Sequence, residues 1–417
     1  MPRARLAILV VALLALAGCT AAPTPLPPTP TGSPSASPSA TPAPGDDGVL
    51  RIGALVPRSG ATDFLGPGLL AGVNAAVAEV NAAGGVGGHP VEVVVADSGD
   101  ATTKTAEAAF ADLVAKGVDA VVGPASSALA ARLLPLAAEA GVPLVSPAAI
   151  SPALAALTPR GWLFRTVPDY AHQAVVLGPA LVAAEQPRVV LVASADAYGQ
   201  SLPGPLARSL RAAGGELLAT ERTGSDAAAL VARVAERKPD AVVLATPDNG
   251  AGTRDLVDRL SAAGLGGAHL WLTSLDLADY SQSLAAGRLD GAHGVMEGAE
   301  PTGALLDALK RADPQLSITR YAPESYDATM LVALAAAVAG DHGAALAAAI
   351  GEVSVGGVKC TSFAECAGVV ADGDLPDYDG ASGPLDLDET GGVTRGSFGS
   401  YRYGAGNTAT RAATLIG

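Results

Sequence analysis

Two series of alternating strand-like and helix-like segments constrain the fold of this 417-residue chain most strongly. Residues 49–56 and 90–97 are short runs of aliphatic and β-branched side chains, and residues 66–85 between them have helical periodicity and end in glycines. The alternation continues along the chain and starts again after Thr166. Such alternation predicts βαβ units with mostly parallel sheets, and two series predict two α/β lobes.

The carboxyl ends of the strands are where this architecture is expected to bind a ligand. Parallel α/β sheets bind ligands just beyond those ends, and small-molecule sites favour the interface between domains. A crevice between two such lobes would be lined by strand-to-helix turns from both. The order of segments therefore predicts a small-molecule site between the lobes.

The first 18 residues are typical of a secretory signal. Arg3 and Arg5 precede the apolar run LAILVVALLALAG, which is shorter than the ~20 residues that span a bilayer. The sequence LAGC, which ends at Cys19, resembles a lipobox, so the mature chain is expected to begin at Cys19 and to carry a lipid there. An ordinary signal followed by a chance cysteine is the alternative.

Residues 19–47 are rich in Pro, Thr, Ser and Ala and contain almost no large apolar side chain. Because such a segment buries too little surface to offset its ordering entropy, it is predicted to be a disordered tether. Residues 48–417 are long enough for two lobes. The net charge of −15 argues against nucleic acid or an anionic membrane surface as a direct partner. No transmembrane segment is predicted after the signal.

Several motifs occur in an order that is specific as a set. They include IGALVPRSG near the start, FRTVPD after the first series and ESYDATMLVALA in the last third. The matching segments are 52–98, 118–154, 164–169, 196–202, 239–246, 324–335 and 378–392. This ordered set resembles the type I periplasmic binding proteins, specifically the branched-chain amino acid (Leu/Ile/Val) receptors of ABC transporters. The resemblance extends over residues 48–403.

The resemblance implies a fold of two Rossmann-like lobes joined by three crossovers that close around a ligand by hinge bending. Residues 48–168 with about 298–380 would form lobe 1, and residues 169–297 with about 381–417 would form lobe 2. The crossovers would lie near Pro168, near Glu297 and after Gly380.

The resemblance also implies a function. A small polar ligand, an amino acid or an amide-like solute, would be captured in the crevice and delivered to the permease and ATPase subunits of an ABC importer. The protein would be a monomer on the outer face of the bacterial cytoplasmic membrane, held by the lipid on Cys19. A sensory receptor module acting with a separate membrane partner is the alternative. An enzyme is not expected, since no motif such as G-x-S-x-G is present.

Four candidate ligand residues follow strands of the first lobe. Ser126 and Ser127 open a helix after the strand AVVG, where hydroxyls and free backbone N–H groups would face a carboxylate. A plain serine N-cap is the alternative. Ala148 and Ile150 lie in the loop that resembles the family's second carboxylate loop. The family has a threonine where this chain has Ile150, so one hydrogen bond to the carboxylate is missing.

The remaining candidates complete the crevice by resemblance to the family. Phe64 and Leu65 lie where the family has an aromatic wall, and Tyr198 matches a tyrosine that covers the ligand, although it could instead be a rim aromatic packed on its own helix. Asp276 is near the family's acid for the ligand ammonium, which charge-assisted hydrogen bonds would favour. Asp248 could take over the ammonium or merely cap the next helix.

Other motifs are discounted. The run GGVGG at 84–88 follows a helix and precedes a strand, which is the reverse of a dinucleotide fingerprint. The histidines have no metal-ligand spacing, and the acids around residues 372–379 lack a complete calcium-loop pattern, so neither metal nor cofactor is expected. Cys360 and Cys366 predict a disulfide in an oxidising compartment, with a reactive pair as the minor alternative.

Overall fold

Two sheets organise the computed structural model, which describes residues 47–224, 226–246 and 250–417. The first lobe consists of β1 (Arg51–Val56), α1 (Gly66–Ala82), β2 (Glu92–Asp97), α2 (Thr105–Ala115), β3 (Ala120–Val122), α3 (Ser127–Ala140), β4 (Leu144–Ser146) and β5 (Leu163–Arg165). These five strands are all parallel, in the order β2-β1-β3-β4-β5. The predicted segments 49–56, 66–85 and 90–97 thus become β1, α1 and β2.

The second lobe repeats the βαβ arrangement. Its elements are α4 (Tyr170–Ala183), β6 (Arg188–Ala193), α5 (Ala197–Ser201), α6 (Pro203–Ala213), β7 (Glu216–Arg222), α7 (Ala227–Glu236), β8 (Ala241–Ala245), α8 (Ala251–Ala262), β9 (Leu270–Leu272) and β10 (His293–Glu297). Successive residues of the central strands enter opposite layers: Val189 and Leu191 of β6 join one buried cluster, and Val190 and Val192 join the other. Because both faces are covered, these strands are continuous apolar runs.

After β10 the chain returns to the first lobe. The returning elements are α9 (Gly303–Ala312), α10 (Ala322–Ala339), α11 (Gly343–Glu352), β11 (Val358–Cys360), α12 (Phe363–Ala371) and β12 (Pro376–Tyr378). The helix α10 is buried all round from Ala322 to Ala336 and packs against α1. The packing is close enough that a Cβ on Gly72 of α1 would lie 2.4 Å from the carbonyl oxygen of Ala322. A side chain at this position would therefore force the two helices apart.

Two further expectations concern this region. Cys360 and Cys366 form a disulfide with an Sγ–Sγ distance of 2.05 Å, so the predicted pairing is confirmed. Within the described residues, no single helix is both long and apolar enough to cross a membrane, and α10 with α11 meets those criteria only as a pair bent by 116°.

The last two strands, β13 (Ser397–Tyr403) and β14 (Ala409–Ile416), form an antiparallel hairpin that extends the second sheet. The order of that sheet is β14-β13-β10-β9-β8-β6-β7, with β13 antiparallel to β10. The predicted class of two α/β lobes with mostly parallel sheets is confirmed.

The third crossover lies later than the sequence analysis put it. Leu385, Leu387 and Val393 join the core of the first lobe, and the Arg165 N–H donates to the carbonyl oxygen of Gly391 at 2.7 Å. Because these contacts hold residues 381–393 on the first lobe, the chain enters the second sheet only at Ser397. The residue boundaries of the two lobes stay a prediction, with the last of them near residue 396 instead of 380.

A buried carboxylate at the amino edge of the first sheet leads to a pH prediction. Asp119 is 2 % exposed; its Oδ2 accepts from the Arg51 N–H at 2.7 Å, and its Oδ1 has no hydrogen-bond partner within the described ranges. Burial raises the pKa of Asp119 to about 7, and the negative charge of Asp341 adds to the shift. The folded state therefore holds the proton more tightly than the unfolded chain between about pH 4 and pH 7.

We expect the free energy of unfolding to fall as the pH rises through that range, because the proton must leave a buried site. Asp119→Asn removes the titration, so the variant should be more stable than the wild type at pH 8 by about 1–3 kcal/mol and no more stable at pH 4. Urea unfolding at the two pH values measures this difference. The exposed Asp112→Asn on α2 is the control, and equal pH dependence of wild type and Asp119→Asn would contradict the prediction.

Candidate functional site

The strand orders predict a crevice at the carboxyl edges of both sheets. In the first sheet β1 lies between β2 and β3, and in the second sheet β6 lies between β7 and β8. The chain therefore runs from β1 to the neighbour on one side and then crosses to the neighbour on the other side, and it does the same from β6. Such switch points open a crevice at the carboxyl ends of the strands. The loops after β1, β3 and β4 on one lobe, and after β6, β8 and β9 on the other, therefore carry the candidate residues.

The amino terminus of α3 is open. Ser126 is its N-cap, with an extended backbone (φ −89°, ψ 130°), but its hydroxyl makes no capping hydrogen bond. The Ser127 hydroxyl oxygen accepts from the Ser151 N–H at 3.1 Å, and both serines are half-buried. Since Ser126 does not cap its own helix, its hydroxyl and the free N–H groups of the first turn remain for an anion. The geometry favours the ligand-contact alternative over the plain N-cap.

An apolar wall adjoins this helix end. Ala148 and Ile150, on the loop after β4, are 6 % and 7 % exposed and form a buried cluster with Leu65 and Tyr321. The Ser146 hydroxyl fixes the start of the loop, donating to the Pro124 carbonyl at 2.6 Å. The structure thus brings together three residues predicted from the sequence, although their contact with a ligand stays a prediction.

Two tyrosines join the lobes beside this wall. The ring of Tyr170, at the start of α4, packs against the same apolar cluster and lies 4.4 Å from the ring of Tyr198 at 63°. Tyr198 is 5 % exposed, and its hydroxyl donates to Thr273 Oγ1 at 2.5 Å. Burial raises the pKa of both phenols, so both are neutral at physiological pH. Tyr198 is therefore packed in the core of the second lobe against Tyr170 and is not an exposed rim residue.

Asp276 occupies an unexpected environment. It is fully buried, and its carboxylate accepts hydrogen bonds from the Thr246 N–H at 3.2 Å, from the Thr246 hydroxyl and from the Thr273 hydroxyl at 3.1 Å. Burial raises the pKa of Asp276 to about 7. In this structure Asp276 holds the ends of β8 and β9 together. Its contact with a ligand ammonium stays a prediction, and the internal hydrogen bonds of the carboxylate do not favour it.

Phe64 is not part of the apolar wall. Phe64 is 47 % exposed and lines a cavity of about 490 Å³ on the first lobe together with Arg58, Asp63 and Asp313, whereas its neighbour Leu65 faces the apolar wall. Asp248 lies outside the described residues. A second cavity, of about 460 Å³, opens at the ends of β7 and β8 and is lined by Thr223, Thr246 and Thr253 among others.

A buried ion pair at the second crossover was missed by the sequence analysis. Glu297, at the end of β10, is 2 % exposed; it accepts from Arg320 Nη2 at 3.1 Å, from the Tyr321 hydroxyl at 2.5 Å and from the Ser274 hydroxyl. Glu324 lies next to it, and burial raises the pKa of Glu324 to about 8. No local pattern marks these residues, since they come together only when α10 returns to the first lobe. Tyr170 could have been predicted as a candidate site residue, because it follows the motif FRTVPD directly.

One group of acids has the spacing of a metal site. Oxygen atoms of Asp377, Asp379 and Asp386 lie within 4.8 Å of one another. However, the Lys359 ammonium contacts all three, at 3.0, 3.0 and 3.7 Å. Because the Lys359 ammonium already contacts all three carboxylates and offsets part of their charge, the cluster is less suited to a metal ion.

Two α/β lobes of mostly parallel strands, with an open helix terminus at the carboxyl edge of the first sheet, define a two-lobed solute-binding protein. The chain belongs to the periplasmic binding protein family, whose model matches residues 49–372. This is a family of solute-binding proteins for transport and not of enzymes, and the resemblance to type I periplasmic binding proteins is confirmed.

One protein of similar sequence and two solved structures of similar fold were found. The chain is 28 % identical over 373 residues to the Leu/Ile/Val-binding protein BraC3 of Rhizobium johnstonii, covering 86 % of this chain and 92 % of that protein. The fold matches LivJ of Streptococcus pneumoniae in complex with isoleucine (TM-score 0.62, 23 % identity, 88 % of this chain and 99 % of that one). It also matches a solute-binding protein of R. palustris in complex with 4-hydroxybenzoate (TM-score 0.63, 18 % identity, 88 % and 97 %).

Proposed function

We propose that this chain is the extracytoplasmic receptor of an ABC importer. It captures a small polar solute the size of an amino acid, bearing a carboxylate or a similar group, and delivers it to a permease and its ATPase. The observation that carries the proposal is the open amino terminus of α3, where Ser126 leaves its own helix uncapped beside the apolar wall of Leu65, Ala148 and Ile150. A helix amino terminus favours an anion, and the wall favours an apolar body.

The ligands named for proteins of similar sequence or fold support the same function. BraC3 is named a Leu/Ile/Val-binding protein, and the LivJ structure holds isoleucine. The R. palustris protein holds 4-hydroxybenzoate. These ligands share one carboxylate attached to an apolar body, which is the chemistry that the two halves of this crevice offer.

A thermal-shift screen of refolded residues 48–417 tests the proposal, with refolding included to remove any carried-over ligand. Amino acids, amides, 2-oxo acids, aromatic acids and polyamines are the panel. At about 100-fold saturation a specific ligand stabilises the folded state by ~2.7 kcal/mol, which gives a measurable rise in Tm. A shift with a small carboxylate supports the proposal, and no shift with any compound contradicts it and favours a sensory or non-transport role.

The anchor is a separate part of the proposal. We infer that Cys19 becomes the first residue of the mature chain and carries the lipid, with residues 20–47 as the tether. Cys19→Ala should move the protein from the membrane fraction to the soluble extracytoplasmic fraction, because the acyl chains supply the membrane affinity. Fractionation of cells that express the full-length chain measures this. A variant that stays membrane-bound would overturn the inference, and Ser33→Ala within the tether is the control.

A further inference from the structure

The first and third crossovers are in direct contact. A Cβ on Gly396 would lie 2.6 Å from Cγ of Pro168, so the two segments pack together without room for a side chain. Arg165, at the end of β5, adds to this contact: its backbone N–H donates to the Gly391 carbonyl at 2.7 Å, and its Nη1 donates to the Ser151 carbonyl at 3.3 Å. Because two lobes turn about the segments that connect them, contacts at this point bias how far apart the lobes lie.

A histidine completes a row of charges beside this contact. Asp169, the N-cap of α4, is 8 % exposed, and its Oδ2 lies 3.7 Å from Nη1 of Arg165. The Nδ1 atom of His172, in the first turn of α4, lies 3.0 Å from Oδ1 of the same carboxylate. One oxygen of Asp169 therefore faces arginine, which stays charged, and the other faces a group that titrates near neutral pH.

The surroundings of His172 favour its protonated form. The hydrogen bond to Asp169 raises the pKa of the imidazole, against the opposing effects of partial burial and of the Arg165 charge. From the third crossover, hydrogen bonding to the Thr394 backbone raises this pKa as well, and the charge of Asp388 on the same segment interacts with that of Arg165. A proton on His172 thus strengthens contacts of α4 with both the first and the third crossover.

We propose that His172 is a pH-sensitive latch at the hinge: its imidazolium fastens the start of α4 to the third crossover, so that the lobes keep the arrangement of this structure more firmly at acidic than at alkaline pH. The inference goes beyond the proposed function, because it concerns the connecting segments and holds for any solute. The direction follows from linkage. A raised pKa gives stabilisation that is complete below about pH 6.5 and is lost as the pH rises through the pKa of the folded protein.

NMR of the imidazole groups in residues 20–417, followed from pH 5 to pH 9, tests the first step. His172 should titrate above the value of about 6.5 for an unperturbed histidine, and its signal is assigned by its loss in His172→Gln. Asp169→Asn keeps a helix-capping side chain but removes the charge, so it should lower the pKa of His172. A pKa of His172 at or below 6.5 in the wild type would overturn the proposal.

Spin labels on the two lobes test the second step. Ala61→Cys, after β1, and Ala197→Cys, on α5, place one label on an exposed position of each lobe. Cys360 and Cys366 are joined, so residues 20–417 contain no other thiol. Distances between the labels, measured by double electron–electron resonance without solute, should lengthen from pH 5.5 to pH 8. The fraction of molecules with separated lobes should rise at least twofold.

His172→Gln separates this effect from other titrations in the same pH range. Glutamine can still donate to Asp169 but does not titrate, so this variant should lose most of the pH response. His269→Gln is the control and should respond as the wild type does, because His269 is exposed on the second lobe, next to the Asp240 carbonyl. Label distances that do not change with pH in the wild type, or that change equally in His172→Gln, would overturn the proposal.

Discussion

Replacing Ser126 and Ser127 together by alanine is expected to weaken solute binding on the order of 100-fold. If the proposed site is right, each hydroxyl donates to the bound carboxylate at the amino terminus of α3, and a hydrogen bond to a charged group contributes about 1.5–3 kcal/mol. Since ~1.4 kcal/mol corresponds to a tenfold change in Kd, two such bonds account for the expected loss. Isothermal titration of the double variant with the solute found in the thermal-shift screen measures it.

Ser362→Ala is the matched control for this loss. Ser362 is the N-cap of α12, and its hydroxyl accepts from the Glu365 N–H at 3.3 Å, far along the chain from the crevice loops. This variant should lose about 1 kcal/mol of stability, as other serine caps do, and keep its affinity. If the double variant bound the solute within threefold of the wild type, the amino terminus of α3 would not be the carboxylate site.

Asp327→Ala is expected to produce the largest loss of stability, about 3–6 kcal/mol. Asp327 is fully buried in α10 and accepts from the Tyr378 hydroxyl at 2.9 Å, the Ala381 N–H at 2.9 Å and the Ser382 N–H at 2.7 Å. Alanine leaves three donors without an acceptor, and each unsatisfied buried group costs about 1–3 kcal/mol. The loop that leads to the third crossover would lose its attachment to α10.

Urea unfolding of Asp327→Ala beside Asp307→Ala tests this prediction. Asp307 lies exposed on α9, so its replacement should change the free energy of unfolding by less than about 0.5 kcal/mol. Asp327→Asn should fall between the wild type and Asp327→Ala, because its amide oxygen can still accept two of the three hydrogen bonds. A loss below about 1 kcal/mol for Asp327→Ala would mean that the loop is held by other contacts.

Local sequence patterns predicted the strands and turns of the first lobe that carry the candidate residues, while the contacts of those residues with a ligand stay predictions. The strand-to-helix turn at Ser126 and Ser127 could be predicted because a valine-rich run and a segment with helical periodicity are adjacent in the sequence. The loop after β4 is equally local, but Ala148 and Ile150 were singled out in it by resemblance to the family's second carboxylate loop. Parallel topology then brings these loops together, because neighbouring strands of such a sheet end at the same edge.

Residues whose environment depends on distant segments could not be predicted in the same way. Asp276 was found as an acid after a strand, but its burial depends on Thr246, which arrives from the end of β8. The third crossover was predicted too early because residues 385–393 bury their side chains against a core built from both ends of the chain. The partnership of Glu297 with Arg320 likewise requires the return of the chain through α9 and α10.

Hydrogen–deuterium exchange of refolded residues 48–417, with and without the solute found in the thermal-shift screen, tests the central claim most directly. A ligand held between the lobes should slow exchange at residues 123–129 and 146–151 of the first lobe and at residues 194–199 and 272–276 of the second, while the β11–β12 region stays unchanged. Protection confined to one lobe, or centred on the cavity lined by Phe64 and Asp313, would contradict a site between the lobes.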